Sequence, residues 1–298
     1  MSGGDYDIAG LLAWDTGGPL PQEGLGRVLA HPRLADASRA LARNMLEAGA
    51  ADRRFEGLSK DAGRYLAAAW AAYLHGSGEL TLPRLKEAGV ASGFLSPGRT
   101  RDLLNYLLHL RFIELDRPSA PGAPARYALT ADFTATWRGM LRAALEAVRV
   151  MEPAVGAVLE RLDEPETFAA LARLQSGGLL EVSNVIVQDD PYVRVFMHRH
   201  AGTQILWTLF EAGEGDFPSP GPIPVSIAEL ARRFAVSRIH IKRMFDEAAE
   251  AGLISRDASG AITLEPPMRD YVRQHYAGQM LALLIAAART VRAVPSLG

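Results

Sequence analysis

A stretch of 22 residues in the first half of this chain, LSPGRTRDLLNYLLHLRFIELD (Leu95–Asp116), returns 141 positions later as VSRIHIKRMFDEAAEAGLISRD (Val236–Asp257). Identity between the two is low, but the order of side-chain classes is the same. Ser96 aligns with Ser237, Leu104 with Phe245, Leu107 with Ala248 and Ile113 with Ile254. Upstream, LTLPRLKEAGV resembles VSIAELARRFAV, and each follows an apolar helix-like stretch, GRYLAAAWAAYLH or GTQILWTLFEAG. Downstream, each copy runs through a turn-rich segment into a long Ala/Leu-rich stretch, Thr136–Val150 or Asp270–Val294. A module that recurs inside one chain limits the architecture to two copies of one plan and the segments that join them.

The second copy shows that plan most clearly. Ser226 starts a short helix whose Ile227, Leu230, Ala231 and Phe234 fall at the spacing of a buried stripe. Ser237 is a good N-cap for a second helix that turns Ile241, Met244, Phe245 and Ala248 inward. Gly252 suits a left-handed C-cap, after which Leu253-Ile254 opens a strand, Asp257–Gly260 turns and Ala261–Leu264 returns. Helix, tight turn, helix and β-ribbon in that order predict a winged helix-turn-helix. The first copy departs from this plan in detail. It has proline at the first position of its second helix, Gly98 inside that helix, four extra residues around GVASGF and a longer hairpin tip from Arg117 to Arg126.

Length and composition agree with two such units. At 298 residues and 48% hydrophobic the chain is long and apolar enough for a substantial core. It contains no cysteine, which excludes disulfide scaffolds, thiol catalysis and Cys-ligated zinc. The longest apolar runs, Leu66–Leu74 and Met280–Ala288, fall far short of the roughly 20 residues that span a bilayer, so no membrane association is expected. The start of the chain lacks the basic region of a signal peptide, and a cytoplasmic location follows as the expectation.

The segment VSIAELARRFAVSRIHIKRMFDEAAEAGLISRDASGAITLEP resembles the winged helix-turn-helix of the MarR family of transcriptional regulators. About 45 residues of the second copy carry the likeness well, and the first copy carries it more weakly. Members of that family are normally two-chain dimers, so a tandem copy is expected to behave as a fused pseudo-dimer, alone or as a homodimer. The resemblance also implies double-stranded DNA as partner, a small aromatic effector, no cofactor and no catalysis.

Charge is distributed accordingly. Thr81–Arg126 carries a net charge of +3 and Ile227–Arg256 one of +2, whereas Glu152–Tyr192 between them carries −6, in a chain whose total is −2. In the second copy Arg238, His240, Lys242 and Arg243 occupy the helix face left free by the buried stripe, and Arg99, Arg101 and Asn105 take matching places in the first. That is the face a recognition helix offers to the major groove, where Arg pairs with guanine and Asn with adenine. Arg256 in one wing, and Arg117 and Arg126 in the other, are expected to meet phosphates or the minor groove. Trp70, Tyr73, Trp207 and Phe210 lie on the helices ahead of the two modules, where the resemblance places an effector cleft.

Other signals lead nowhere. Asp15-Thr16-Gly17 matches the aspartic-protease tripeptide without an all-β setting or a second copy, and His198 and His200 lack a third ligand at helical spacing. No phosphate-binding glycine loop is present. The predicted fold is mainly α with small β-wings: two tandem winged helix-turn-helix modules related by a pseudo-two-fold and joined by helical, dimerisation-like segments. The predicted divisions are a helical extension (1–60), module one with its trailing helix (61–150), an acidic helical connector (151–200) and module two with the C-terminal helix (201–298). The trailing helices are expected to pack together. A winged-helix scaffold for protein contacts and a paired-winged-helix replication initiator are the alternatives to a regulator.

Overall fold

Side-chain caps decide where the short helices begin. Thr81 and Ser96 in the first half, and Ser226 and Ser237 in the second, each accept a hydrogen bond from the backbone N–H three residues on, satisfying a donor that the helix itself leaves open. The computed structural model describes residues 6–18, 20–116, 122–183 and 189–297. It is mainly helical, with two small antiparallel two-stranded sheets.

In chain order the elements are α1 (Ile8–Leu12), α2 (Gln22–Leu29), α3 (Leu34–Ala51), α4 (Arg53–Leu58), α5 (Ala62–Gly76), α6 (Leu82–Ala91) and α7 (Pro97–His109). The hairpin β1 (Ile113–Leu115) and β2 (Tyr127–Leu129) follows, then α8 (Ala131–Arg149), α9 (Gly156–Glu160) and α10 (Pro165–Ser183). A π-helical turn, Val193–Met197, leads to α11 (Gly202–Ala212), α12 (Ile227–Arg233), α13 (Arg238–Glu250), the hairpin β3 (Ile254–Arg256) and β4 (Ile262–Leu264), and α14 (Pro266–Ala293).

The two halves match closely in their centres. Helices α7 and α13 have 13 residues each and lie 141 positions apart at both ends, as do the strands β1 and β3 that follow them. Each helix ends with its successor in the left-handed region, Arg111 at φ 58 and Gly252 at φ 68. In both, the next N–H reaches back to a carbonyl five residues earlier, Phe112 to Leu107 and Leu253 to Ala248 at 2.9 Å, the closing bond of a Schellman cap. Glycine occupies that backbone region freely and arginine does not, so the first copy holds its chain reversal at some local cost. The hairpins pair in equivalent register, Ile113 with Leu129 and Ile254 with Leu264. A third short bridge flanks each, Thr81 with Arg126 and Ile223 with Ile262. Of the four extra residues seen in the sequence, three lengthen α6 relative to α12 and one lengthens the turn before α7, and the tip at 117–121, with Arg117, lies outside the described residues.

Packing outside these centres differs from the expectation. Helices α8 and α14 touch, but α8 packs most extensively on α3, and α14 on α10 and α2. The reason is the demand for cover. Helix α5 buries Ala67 through Ala72 around its whole circumference, and a helix apolar on all sides needs neighbours on all sides. Its own half supplies α6, α7 and β2, and α10 closes the other side; α11 is covered by α3 in the same exchanged fashion. Residues 34–51 of the extension therefore play the part for the second half that α10 plays for the first.

Close approach of α10 to α5 depends on a small residue. A Cβ at Gly177 would lie 3.1 Å from the Tyr73 ring. Some acids of the connector are also committed: Asp163 pairs with Arg142 at 3.0 Å and Arg138 at 3.8 Å on α8, and Glu152 accepts the Trp14 indole N–H at 3.1 Å. Asp15 of the protease-like tripeptide is an anchor, held by Arg289 and Arg292 on α14.

Helix α14 buries residues on every face between Tyr276 and Val291 and reaches the extension, α3, α8 and α10. Leu284 is fully buried on it. Leu284→Ala is expected to cost about 2–5 kcal/mol, read as a fall in the denaturant midpoint of the whole transition. A loss under about 1 kcal/mol would show that this helix is peripheral to the core.

Candidate nucleic-acid interface

Helices α7 and α13 each bury one stripe and expose the rest. Thr100, Leu103, Leu104 and Leu107 face inward on α7, and Ile241, Met244, Phe245 and Ala248 on α13. Outward on the front of the first are Arg99, Arg101, Asp102 and Asn105, and on that of the second Arg238, Ile239, Lys242 and Arg243. The caps put Arg99, Arg238 and Ile239 in the first turns, where the uncompensated backbone N–H groups add positive potential, and Arg101, Lys242 and Arg243 just beyond. Asn105 is exposed one turn further along.

The surroundings divide the cations into held and free. Arg99 reaches Asp61 at 3.7 Å, and Asp61 also pairs with Arg64 and caps α5. Lys242 and Arg256 share Asp246 at 3.6 Å each, so Arg256 leans from its strand toward α13. His240 faces inward: its Nε2 donates to the His200 carbonyl at 2.8 Å. Among the described residues Arg101, Arg238 and Arg243 have no ion-pair partner. Arg126 is exposed, and its carbonyl accepts from Asp116 N at 3.0 Å, which fixes the base of the first hairpin. Arg117 lies outside the described residues.

Two features of this surface were not singled out in the sequence. Arg232 and Arg233 end α12 beside the turn and are exposed; the LARR run was the signal. Glu247, on the inner flank of α13, receives Arg194 at 3.7 Å and Arg199 in a short contact. No sequence signal announces that pairing, because its partners come from the connector.

The four aromatic residues separate. Trp70 is fully buried and Phe210 is 3% exposed; Phe210 packs edge-on against Phe217 and Tyr276, so both belong to the core and not to a cleft. Tyr73 lies against α10 at Gly177. Trp207 alone of the four lines a cavity of about 160 Å³ among α3, α5, α8, α10, α11 and α14. His198 packs on the Phe94 ring at 5.2 Å. Burial lowers the pKa of both His198 and His200, in the latter with help from Arg64 and Lys60. Among the described residues no cluster of three or more potential ligands is placed to hold a metal ion, and no helix is long and apolar enough to cross a membrane. Comparison with protein-family models, curated proteins and solved structures finds no match to this chain.

His275, on the cavity wall, is held down to about pKa 4 by burial. Its unfolded imidazole takes a proton near 6.5, so between about pH 6.5 and 4 the unfolded chain binds more protons than the folded one. Stability from this residue is present above that window and is lost as pH falls through it, by up to about 1.4 kcal/mol per unit. Denaturant titrations at several pH values should show the slope, and His275→Gln should flatten it; an unchanged slope in that variant would remove the imidazole from the account.

Proposed function

We propose that this chain is a sequence-specific DNA-binding transcriptional regulator in which two tandem winged helix-turn-helix modules, related by a pseudo-two-fold, are fused so that one polypeptide supplies both halves of a dimer. The observation that carries the reading is the pair of 13-residue helices, each capped by serine, each preceded by a short helix and followed by a hairpin, with Arg101, Arg238 and Arg243 exposed and uncommitted. Cations at the first turns of two such helices suit base edges and phosphates together.

Each residue then takes a role from its surroundings. Arg101, Arg238 and Arg243 are free to pair with guanine or phosphate, and Asn105 with adenine. Ile239, 64% exposed on the front of α13, suits the methyl group of thymine. Arg126 and Arg256 stand at the wings as phosphate contacts, and His240 orients α13 from behind. The two fronts differ in sequence, so the preferred site is asymmetric, with half-sites about one turn, or about 34 Å, apart. Ile239 and Leu115, both 64% exposed, also favour a second reading, a scaffold that binds protein through these fronts; salt separates the two, since only phosphate contacts release counterions.

The test is binding to genomic fragments selected by the purified chain. Lys242→Glu with Arg243→Glu should weaken the selected complex by about a hundredfold or more and flatten the log–log salt dependence by about 2. Both side chains are exposed, so the melting temperature should move by less than about 2 °C. Unchanged affinity and salt slope in a folded variant would reject the assignment.

A further inference from the structure

A polar pocket of about 520 Å³ opens between the turn that joins α2 to α3, the loop at 216–218 and the first turns of α14. It shares no lining residue with the cavity beside Trp207, and none of its lining residues belongs to α7, α12, α13 or a hairpin. One wall, within residues 29–35, comes from the N-terminal extension. Its volume falls in the ordinary range for small-molecule sites, roughly 300–1,000 Å³.

The walls are braced from behind. Phe217 packs edge-on against Phe210 and Tyr276, and Arg39 donates to the Asp216 carbonyl at 2.8 Å, so the loop is fixed by a side chain and by its backbone. Arg273 donates to the Leu29 carbonyl at 3.1 Å, and the His31 Nδ1 accepts the Arg33 N–H at 3.1 Å, which together hold the turn after α2. The charges on these walls are nevertheless unmatched. The arginines of α14 that form ion pairs are Arg289 and Arg292, far along the helix. Among the described residues the side chains of Arg269, Asp216 and Asp270, all on the pocket wall, make neither an ion pair nor a hydrogen bond. Arg269 is half-buried, and its Nε is closed to solvent with no acceptor.

A charged group drawn partly out of water without a partner is unfavourable until something supplies that partner. Here both signs of charge wait in one pocket. Arg269 and Arg273 lie four residues apart, on one face of α14, and Asp270 and Asp216 flank them on the helix and on the loop. We propose that this pocket binds a free α-amino acid with an apolar side chain, its carboxylate held by Arg269 and Arg273 and its ammonium by Asp216 and Asp270. A phosphate or a simple carboxylate would meet the two aspartates unbalanced, and an amine or a metal ion would meet the two arginines; only a ligand that carries both charges satisfies both pairs. Leu29, Pro32 and Pro218 offer apolar surface to the side chain, and the remaining volume holds bridging water. The site does not depend on DNA binding.

L-Leucine is the probe, with isocaproate, which lacks the ammonium, and isoamylamine, which lacks the carboxylate, as its two halves. Each is titrated calorimetrically into the full chain at millimolar concentration. Leucine should bind and raise the melting temperature by about 2–4 °C at ten times its dissociation constant, and each half should bind about tenfold more weakly or worse. Arg269→Gln should weaken leucine by about tenfold or more. The unliganded variant should melt no lower than the parent chain, because it loses a charge that has no partner; an arginine that served only the fold would lower the melting temperature. Asp216→Asn with Asp270→Asn should weaken leucine and leave isocaproate unaffected. Ala35→Trp fills the pocket from α3 and should abolish binding; Ala30→Trp does so from the end of α2 if the first variant does not fold. Equal binding of isocaproate and leucine would make this a plain anion site and overturn the proposal, as would no saturable binding of leucine, or unchanged leucine affinity in folded Arg269→Gln. Leucine binding by a chain that binds no DNA would support the site and count only against the function proposed above.

Discussion

A helix whose apolar residues point in every direction cannot stay at a surface, and α14 is such a helix from Tyr276 to Val291. Removing that surface from water yields roughly 25 cal/mol per Å² of apolar area, and the only way to remove all of it is to surround the helix. The chain does so with segments far apart in sequence: α1 and α2 from the start, α8 and α10 from the middle, α3 between them. Asp15, 9% exposed and paired with Arg289 and Arg292, adds a charged clasp at the far end. Nearly everything else about the molecule follows from the need to bring those segments to one axis.

The same need explains the exchange of cover between the halves. Helices α5 and α11 are too apolar for their own hairpins and short helices to enclose, and each borrows a long helix from elsewhere, α10 for one and α3 for the other. Neither half has a closed core by itself. An exchange of this kind also leaves the cationic fronts of α7 and α13 outside, because burial is spent on their opposite faces. Under the proposed reading, this is how one chain acquires the two-sided geometry that regulators of the resembling family reach by dimerising.

The two matching centres differ in detail. Gly252 relaxes into the left-handed region that Arg111 is made to occupy, only α7 has a glycine, Gly98, in its first turn, and α6 is three residues longer than α12. The second front carries Arg238, Lys242 and Arg243 within two turns, whereas the first has Arg99 partly withdrawn to Asp61. The polar groups behind the two fronts differ in origin: Glu247 gathers two arginines from the connector, whereas Asp61 gathers Arg64 and Arg99 from its own module. The cavity lies among helices drawn from both halves, with Asp61 and Met197 on its wall.

What could be read from residues alone was local. Serine before a buried stripe starts a helix, glycine after it ends one, and alternation around a turn makes a hairpin, because these are decided within a few residues by backbone hydrogen bonds and dihedral preferences. The two repeated centres, their helix ends and the exposed positions of Arg101, Arg238 and Arg243 belong to that class. Which helix covers which, why α8 and α14 prefer α3 and α10 to each other, and why Trp70 and Phe210 are core while Trp207 meets a cavity depend on pairs about a hundred positions apart. No local rule reaches that far: hydrophobic burial is non-directional, so a sequence states that a face must be covered and only the assembled chain decides by what.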